Sequence, residues 1–213
     1  MDIIILSRRK NHRSCYNTRM SKIDWFIIQS YTTLPDALKK PLQELDTLCF
    51  TWQRTVTPAQ KKENDDKFCS GADIAGYVLA MEAGRLIGET KICKRTISFE
   101  KQTIILGGIG SVATHPDKRL RGVAKATVAR AMEMLKDLGC DIAYLCVDER
   151  DPRKIALYRS FGFDLLYRPH TYLGKSGKRY TDTDAMIAPV NAPLLYNIVM
   201  DGTAPLDIGT GNW

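Results

Sequence analysis

The residues best able to do chemistry in this chain of 213 residues fall in three short stretches. The first covers positions 112–124 and reads Val-Ala-Thr-His-Pro-Asp-Lys-Arg-Leu-Arg-Gly-Val-Ala. An apolar, β-branched run ends there, His115-Pro116-Asp117 turns the chain, and an amphipathic pattern begins. A helix opening on such a loop presents unpaired backbone N–H groups and the positive end of its dipole, so phosphate is its natural guest. Gly122 lets the backbone approach an anion with no Cβ in the way, and Ala124 keeps the next contact small. Arg119 and Arg121 add cationic donors at the rim. No Gly-Lys-Ser/Thr follows, so the stretch is not a P-loop. The second stretch, Ile-Ala-Leu-Tyr-Arg-Ser-Phe-Gly-Phe over 155–163, supplies a phenol at Tyr158. The third is the acidic end of the chain, with Asp182, Asp184, Asp207 and the terminal carboxylate of Trp213.

The elements that must position these residues follow from periodicity. Apolar residues over 103–106 and 109–113 predict a buried strand, in which Gly107, Gly108 and Gly110 mark a bulge or the close approach of ligand or backbone. After Gly122, apolar positions 123, 126, 127, 128, 131, 134, 135 and 138 keep helical spacing until Gly139 stops it. Residues 142–147 read as a short strand, and Asp151-Pro152 starts a helix running to Phe161. Further strands are predicted over 25–31, 75–83, 86–97, 163–167 and 185–190, with a hairpin turn at Gly84-Arg85. A helix starts near Asp36 and carries Leu38, Leu42, Leu45 and Leu48 on one face, and the polar stretch 52–70 reads as a second short helix plus loop. Strand, helix, strand, helix in this order implies a right-handed crossover and a mixed sheet with helices on both sides.

Composition bounds the class. Apolar residues make up 44% of the chain and charged residues 26%, as in an ordinary folded protein, and no run approaches the roughly 20 apolar residues of a membrane span. Cys15, Cys49, Cys69, Cys93, Cys140 and Cys146 lie far apart with no CxxC pair and read as reduced core thiols, so no metal site is expected from them. The run after Asp2 is too short for a signal-peptide core and is followed by basic residues, so a cytoplasmic location is expected. The net charge is +7, and Arg8, Arg9, Lys10, Arg13, Arg19 and Lys22 supply much of it. Apart from Tyr16 these are not interleaved with aromatics, which reads as a solvated tail and argues against a nucleic-acid partner. Residues 1–23 are expected to be a flexible extension, with Met20 an alternative start, and 24–213 a single domain. A homodimer is left open.

The spacing Arg119-x-x-Gly122-x-Ala124 resembles the acyl-CoA pyrophosphate motif of the GNAT N-acetyltransferase superfamily. The stretch around Leu157-Tyr158 and Gly162-Phe163 resembles the same superfamily's Leu-Tyr-x-x-x-Gly-Phe signature. The resemblance covers roughly residues 75–167. It implies an α/β fold, mixed α+β, with a central, mostly antiparallel mixed sheet splayed between its fourth and fifth strands. It implies acetyl-CoA as cosubstrate, with pantetheine paired to the backbone of Val112, Ala113 and Thr114 and pyrophosphate on the amides of Arg119, Leu120, Arg121, Gly122, Val123 and Ala124. Asp151, where the family often has Asn, falls against the pantetheine arm. Tyr158 falls near the thioester sulfur, where a phenol with an ordinary pKa of about 10 carries a proton for the leaving thiolate. Many members carry a glutamate base on the fourth strand; here those positions hold Gly108, Gly110 and Ser111.

The C-terminus is similar to that of aminoglycoside N-acetyltransferases, which finish on an Asp, a Gly and a final Trp with the carboxylate in the acceptor site. This implies that Asp182, Asp184, Asp207 and Trp213 bind a polycationic amine and that the Trp213 carboxylate is a candidate base. The expected activity is acetyl transfer to a primary amine of such an acceptor, an aminoglycoside antibiotic above all, by direct attack in a ternary complex. The alternatives are a protein, peptide or other small amine as acceptor and, from a different class, a basic nucleic-acid-binding module.

Overall fold

The computed structural model describes residues 3–6, 26–51, 55–68, 71 and 73–213. An eight-stranded sheet runs in the order β1-β2-β3-β4-β5-β6-β10-β7. Its strands are β1 (Ile3–Leu6), β2 (Phe26–Tyr31), β3 (Ile74–Glu82), β4 (Arg85–Phe99), β5 (Gln102–Thr114), β6 (Ile142–Cys146), β7 (Asp164–Leu165) and β10 (Ala185–Pro189). Every neighbouring pair is antiparallel except β5 and β6, which are parallel. That is the sheet expected from the sequence, with the family's fourth and fifth strands appearing as β5 and β6. A second sheet, β11-β8-β9, is formed by β8 (His170–Leu173), β9 (Arg179–Asp182) and β11 (Leu206–Thr210), with β11 parallel to β8.

Alternation along the strands builds two faces. On one, α3 (Val123–Asp137) and α4 (Pro152–Arg159) bury Val123, Val128, Ala131, Leu135 and Tyr158 against Val78, Ile92, Ile109, Ala143 and Leu145. On the other, α1 (Asp36–Cys49) sets Leu42 and Leu45 on Leu79, Leu86 and Ala113. There the small sheet and α5 (Pro193–Asp201) cover Ile104, Leu106, Ile142 and Tyr144 with Leu206, Ile208, Tyr172 and Val199. The polar stretch before β3 holds α2 (Pro58–Lys67), started by a capping box between Thr57 and Gln60.

Three features set up the site. The parallel pairing lasts only from Leu106↔Ile142 to Gly108↔Tyr144, while β5 runs on to Thr114, so the two strands part beyond Gly108. Opposite Thr90, β5 fits two residues, Ser111 and Val112, where β4 has one. This bulge keeps Val112 on the α3 core and returns Ala113 to the α1 core, and it holds Ser111 at φ +49°. β5 is continuous through its glycines: a Cβ on Gly108 would lie 2.0 Å from the ring of Trp213, so backbone and indole meet directly there.

Within the expected extension 1–23, Ile3–Leu6 forms strand β1 along β2. The remainder of that extension, Met20 included, and Trp25 lie outside the described residues. Residues 163–167 pair over Asp164–Leu165 alone, and β8, β9, α5 and β11 are elements beyond those expected from periodicity. Among the described residues, no helix is long and apolar enough to cross a membrane.

Candidate active site

The phosphate loop is built as its residues dictate. Gly122 is the N-cap of α3 at φ +85°, left-handed backbone that a glycine adopts without strain. The first intrahelical bond runs from Ala126 N–H to the Gly122 carbonyl, 3.0 Å, so the first-turn amides of Val123, Ala124 and Lys125 point out of the helix end with no intrahelical acceptor. Thr127 was read as apolar through its methyl; its hydroxyl receives the Thr90 hydroxyl at 2.9 Å and donates to the Ala124 carbonyl at 3.1 Å, which pins this first turn to β4. The two arginines divide. Arg121 donates to Glu82 at 2.6 Å, and Lys118 meets the other Glu82 oxygen at 2.5 Å, so both cations hold the loop to the end of β3. Hydrogen bonds from Lys118 and Arg121 hold the Glu82 carboxyl below the ordinary carboxylate range. Arg119 is exposed and reaches the Thr114 carbonyl at 3.4 Å, which leaves it the loop cation that faces solvent.

Where β5 and β6 part there is a cavity of about 350 Å³. Gly110, Ser111 and Val112 line one wall, Cys146 and Val147 the other, and Tyr158, Lys154 and Trp213 complete it. Tyr158 is 7% exposed and packs edge-on against Phe163, and burial pushes its phenol up to about 12. It is therefore protonated throughout the neutral range. Asp151 caps α4, accepting from the amides of Arg153 at 3.1 Å and Lys154 at 3.4 Å, which gives an aspartate at this position a local reason of its own.

The acidic end is brought only partly together. The Trp213 ring lies on Gly108 beneath the Arg95 guanidinium, 4.1 Å from the ring centroid, and Trp213 lines the cavity. Arg95 also bonds the carbonyls of Ile208 and Gly211 and ion-pairs with Asp73, and the Asn212 amide donates to the Lys67 carbonyl at 2.8 Å. Asp184 stands 3.8 Å from buried His170. Asp182 accepts a 2.6 Å bond from the Tyr172 hydroxyl. Asp207 lies on the small sheet, ion-paired with Arg179 at 2.7 Å, and none of Asp182, Asp184 and Asp207 is a cavity-lining residue.

Two groups of polar residues near the cavity escaped the sequence reading. Cys146, a cavity wall, has its sulfur 3.8 Å from His170 Nε2 and 2.9 Å from the Tyr144 hydroxyl. Burial, and after it the Asp184 charge, push this thiol up to about 12. Cys146, His170 and Asp184 are also the described residues able to hold a metal ion together. The second group lies under α1: Lys91 Nζ is 3.2 Å from Ser111 Oγ and 3.2 Å from Asp46 Oδ2. Glu89 is wholly buried beside them, and burial, then Asp46, push its carboxyl up to about 10. Glu89 and Lys91 stand on a strand whose neighbours are apolar, which is the signal that marks a buried charge in sequence.

Residues 37–166, more than half of the chain, match the family model described as an acetyltransferase (GNAT) domain. The chain belongs to the GNAT acetyltransferase family. Among curated proteins it is 31% identical over 112 residues to a mycothiol acetyltransferase of Acidimicrobium ferrooxidans, a match covering 53% of this chain and 33% of the relative. It is 31% identical over 103 residues to the mycothiol acetyltransferase of Thermobispora bispora, covering 45% of this chain and 34% of the relative. The chain thus matches about a third of these relatives' length. Among solved structures it superposes on the ribosomal-protein-S18-alanine N-acetyltransferase of Escherichia coli with a TM-score of 0.51 at 14% identity, covering 76% of this chain and 94% of that one. The PaiA N-acetyltransferase of Thermoplasma acidophilum, solved in complex with coenzyme A, gives 0.50 at 13% identity, covering 76% of this chain and 98% of that one. At these identities the two structures share the fold.

Proposed function

We propose that the chain moves an acetyl group from acetyl-CoA to a primary amine of a small polycationic acceptor, with an aminoglycoside as the leading acceptor class. The observations that carry the donor half are the outward-pointing first-turn amides of α3 and the cavity where β5 and β6 part. A pyrophosphate fits the amides around Gly122 with Arg119 beside it, and the cavity, lined by Gly110 and Ser111, has room for a pantetheine arm. Bound there, acetyl-CoA supplies an activated acyl group, and the chain's task is to orient it, exclude water and move protons. Tyr158 arrives protonated and is the proposed donor to the leaving thiolate. The bulge at Ser111 and Val112 lies in the cavity wall, and its backbone N–H groups are the proposed stabilisers of developing negative charge.

For the acceptor half, Asp184 and the carboxylate of Trp213 are the acidic groups proposed to meet the amines, and the Trp213 carboxylate is the proposed base. Asp207, held by Arg179, and Asp182, held by Tyr172, contribute to the local field at longer range. The names of the curated relatives add a mycothiol-type acceptor to the panel. A thiol-release assay across aminoglycosides, polyamines, amino acids, a mycothiol-type amine and an N-terminal peptide tests the reading. Coenzyme A release with aminoglycosides is the expected result. Release with peptide alone would replace the small acceptor with a protein amine, and release with none of these amines would remove the proposal.

A further inference from the structure

Three donor atoms of three chemistries converge beside the cavity: a thiol from the end of β6, an imidazole from the start of β8 and a carboxylate from the residue before β10. Cys146 Sγ lies 3.8 Å from His170 Nε2, His170 Nε2 lies 3.8 Å from Asp184 Oδ1, and all three atoms fall within 4.8 Å of one another. We infer that Cys146, His170 and Asp184 form a binding site for a divalent transition metal, zinc by its ligand chemistry. Zinc bonds of about 2.3 Å to sulfur and about 2.0–2.2 Å to nitrogen and oxygen set tetrahedral donors roughly 3.3–3.6 Å apart, so closing the triangle on an ion takes side-chain movements of up to about 1 Å. Thiolate and imidazole together select such a metal over magnesium or calcium.

The surroundings favour a cation at this point. Asp184 Oδ1 is buried 3.8 Å from His170 Nε2 and has no hydrogen-bond partner among the described residues, so a cation there would satisfy it. His170 has no exposed surface, and its ring is fixed by stacking on Tyr172 and by the edge of Tyr144, with centroids 6.1 and 5.6 Å away. Asn212 Nδ2, 3.4 Å from Sγ, is a donor suited to a metal-bound thiolate, and the Tyr144 hydroxyl, which donates to Asn212 Oδ1 at 3.0 Å, lies 2.9 Å from the same sulfur. The same atoms do not make a nucleophilic triad. In that arrangement the carboxylate orients the imidazole through the nitrogen that faces away from the thiol, whereas here Cys146 and Asp184 both address Nε2. His170 Nδ1 has no partner among the described residues, so ring packing alone orients this ligand. Three protein donors leave one tetrahedral position open, and Cys146 also lines the cavity in which the acceptor amine is proposed to sit.

Metal titration of the chelator-treated chain tests this without any assay of acetyl transfer. With Zn²⁺ the expected result is uptake of about one ion per chain and a rise in Tm. With Co²⁺ it is a thiolate-to-metal charge-transfer band together with the d–d bands of tetrahedral coordination. Cys146→Ser should abolish the charge-transfer band. Asp184→Asn, at a half-exposed side chain where the fold tolerates change, should weaken Co²⁺ binding at least about tenfold while apo-protein Tm is kept. Uptake well below one ion per chain overturns the site. So does equal uptake by wild type, Cys146→Ser and Asp184→Asn, which would place the metal elsewhere.

Discussion

The indole of Trp213 rests directly on the backbone of Gly108: a Cβ added to that glycine would stand 2.0 Å from Cε3 and 2.5 Å from Cζ3. Two residues more than a hundred positions apart thereby fix the position of an indole that lines the cavity. Gly108→Ala should push the indole off β5, at a cost of about 1–3 kcal/mol in stability. The KM for the amine should rise while the Kd for acetyl-CoA stays near the wild-type value. Calorimetric acetyl-CoA titration beside steady-state kinetics checks both, and an unchanged amine KM would detach Trp213 from acceptor binding.

Gly122 offers a cleaner test of the donor loop, because nothing lies within 4 Å of a Cβ built there and its φ of +85° is the sole steric demand. Gly122→Ala should cost about 1–2 kcal/mol of stability through left-handed strain and leave acetyl-CoA binding within a few-fold. Gly122→Asp adds an anion facing the phosphates and should weaken acetyl-CoA binding by at least about tenfold, since about 1.4 kcal/mol of repulsion suffices. Equal affinities for the two variants would move the pyrophosphate away from this loop.

Tyr158→Phe should lower kcat with little change in acetyl-CoA affinity, and unchanged kcat would retire the phenol as acid. Because burial holds this phenol at about 12, its deprotonation lies above the range in which the enzyme is assayed. The wild-type rate should therefore show no fall between pH 8 and about 10 attributable to Tyr158.

Glu89 makes a prediction about stability. Its carboxyl titrates at about 10 in the folded chain against an ordinary 4.5, because it is buried and faces Asp46. The folded state thus holds a proton that the unfolded state releases, so the stability this group permits is complete below pH 4.5 and is lost as pH rises toward 10. The slope from this one group is up to about 1.4 kcal/mol per pH unit within that window. Glu89→Gln should flatten it, gaining stability over wild type at pH 9 relative to pH 5 in urea unfolding. Parallel pH profiles for the two proteins would show that Glu89 titrates normally.

Much of the strand-loop-helix unit proposed to hold the donor was legible because it is local. The turn at His115-Pro116-Asp117, the left-handed Gly122 and the spacing of Val123, Val128, Ala131 and Leu135 lie within one strand-loop-helix unit, where periodicity and turn chemistry report directly on structure. What the arginines do was not legible, since Glu82, which takes up Arg121 and Lys118, comes from the hairpin on the far side of β4. The acceptor side depends on the small sheet, whose strands are short and pair across long separations. Asp207 is directed to Arg179 by that pairing, and His170 to Cys146 by the packing of this sheet on β6. Judged against one another the cysteines show no metal spacing, and the partners that change this for Cys146 are a histidine and an aspartate brought in by strands that periodicity did not mark.

Residues 206–213 reach back to β4, β5 and α2 through Arg95, Gly108 and Lys67, and they supply both the indole in the cavity and the Asn212 beside Cys146. Arg95 is the rivet: its guanidinium covers the indole and binds the carbonyls of Ile208 and Gly211. A partial opening that frees this strap would withdraw the indole from the cavity and Asn212 from the thiol-imidazole cluster in one event, while the main sheet stays folded. Occupancy of either place therefore draws on the same opening equilibrium, and whatever binds at one raises the hydrogen-exchange protection of strap amides at the other.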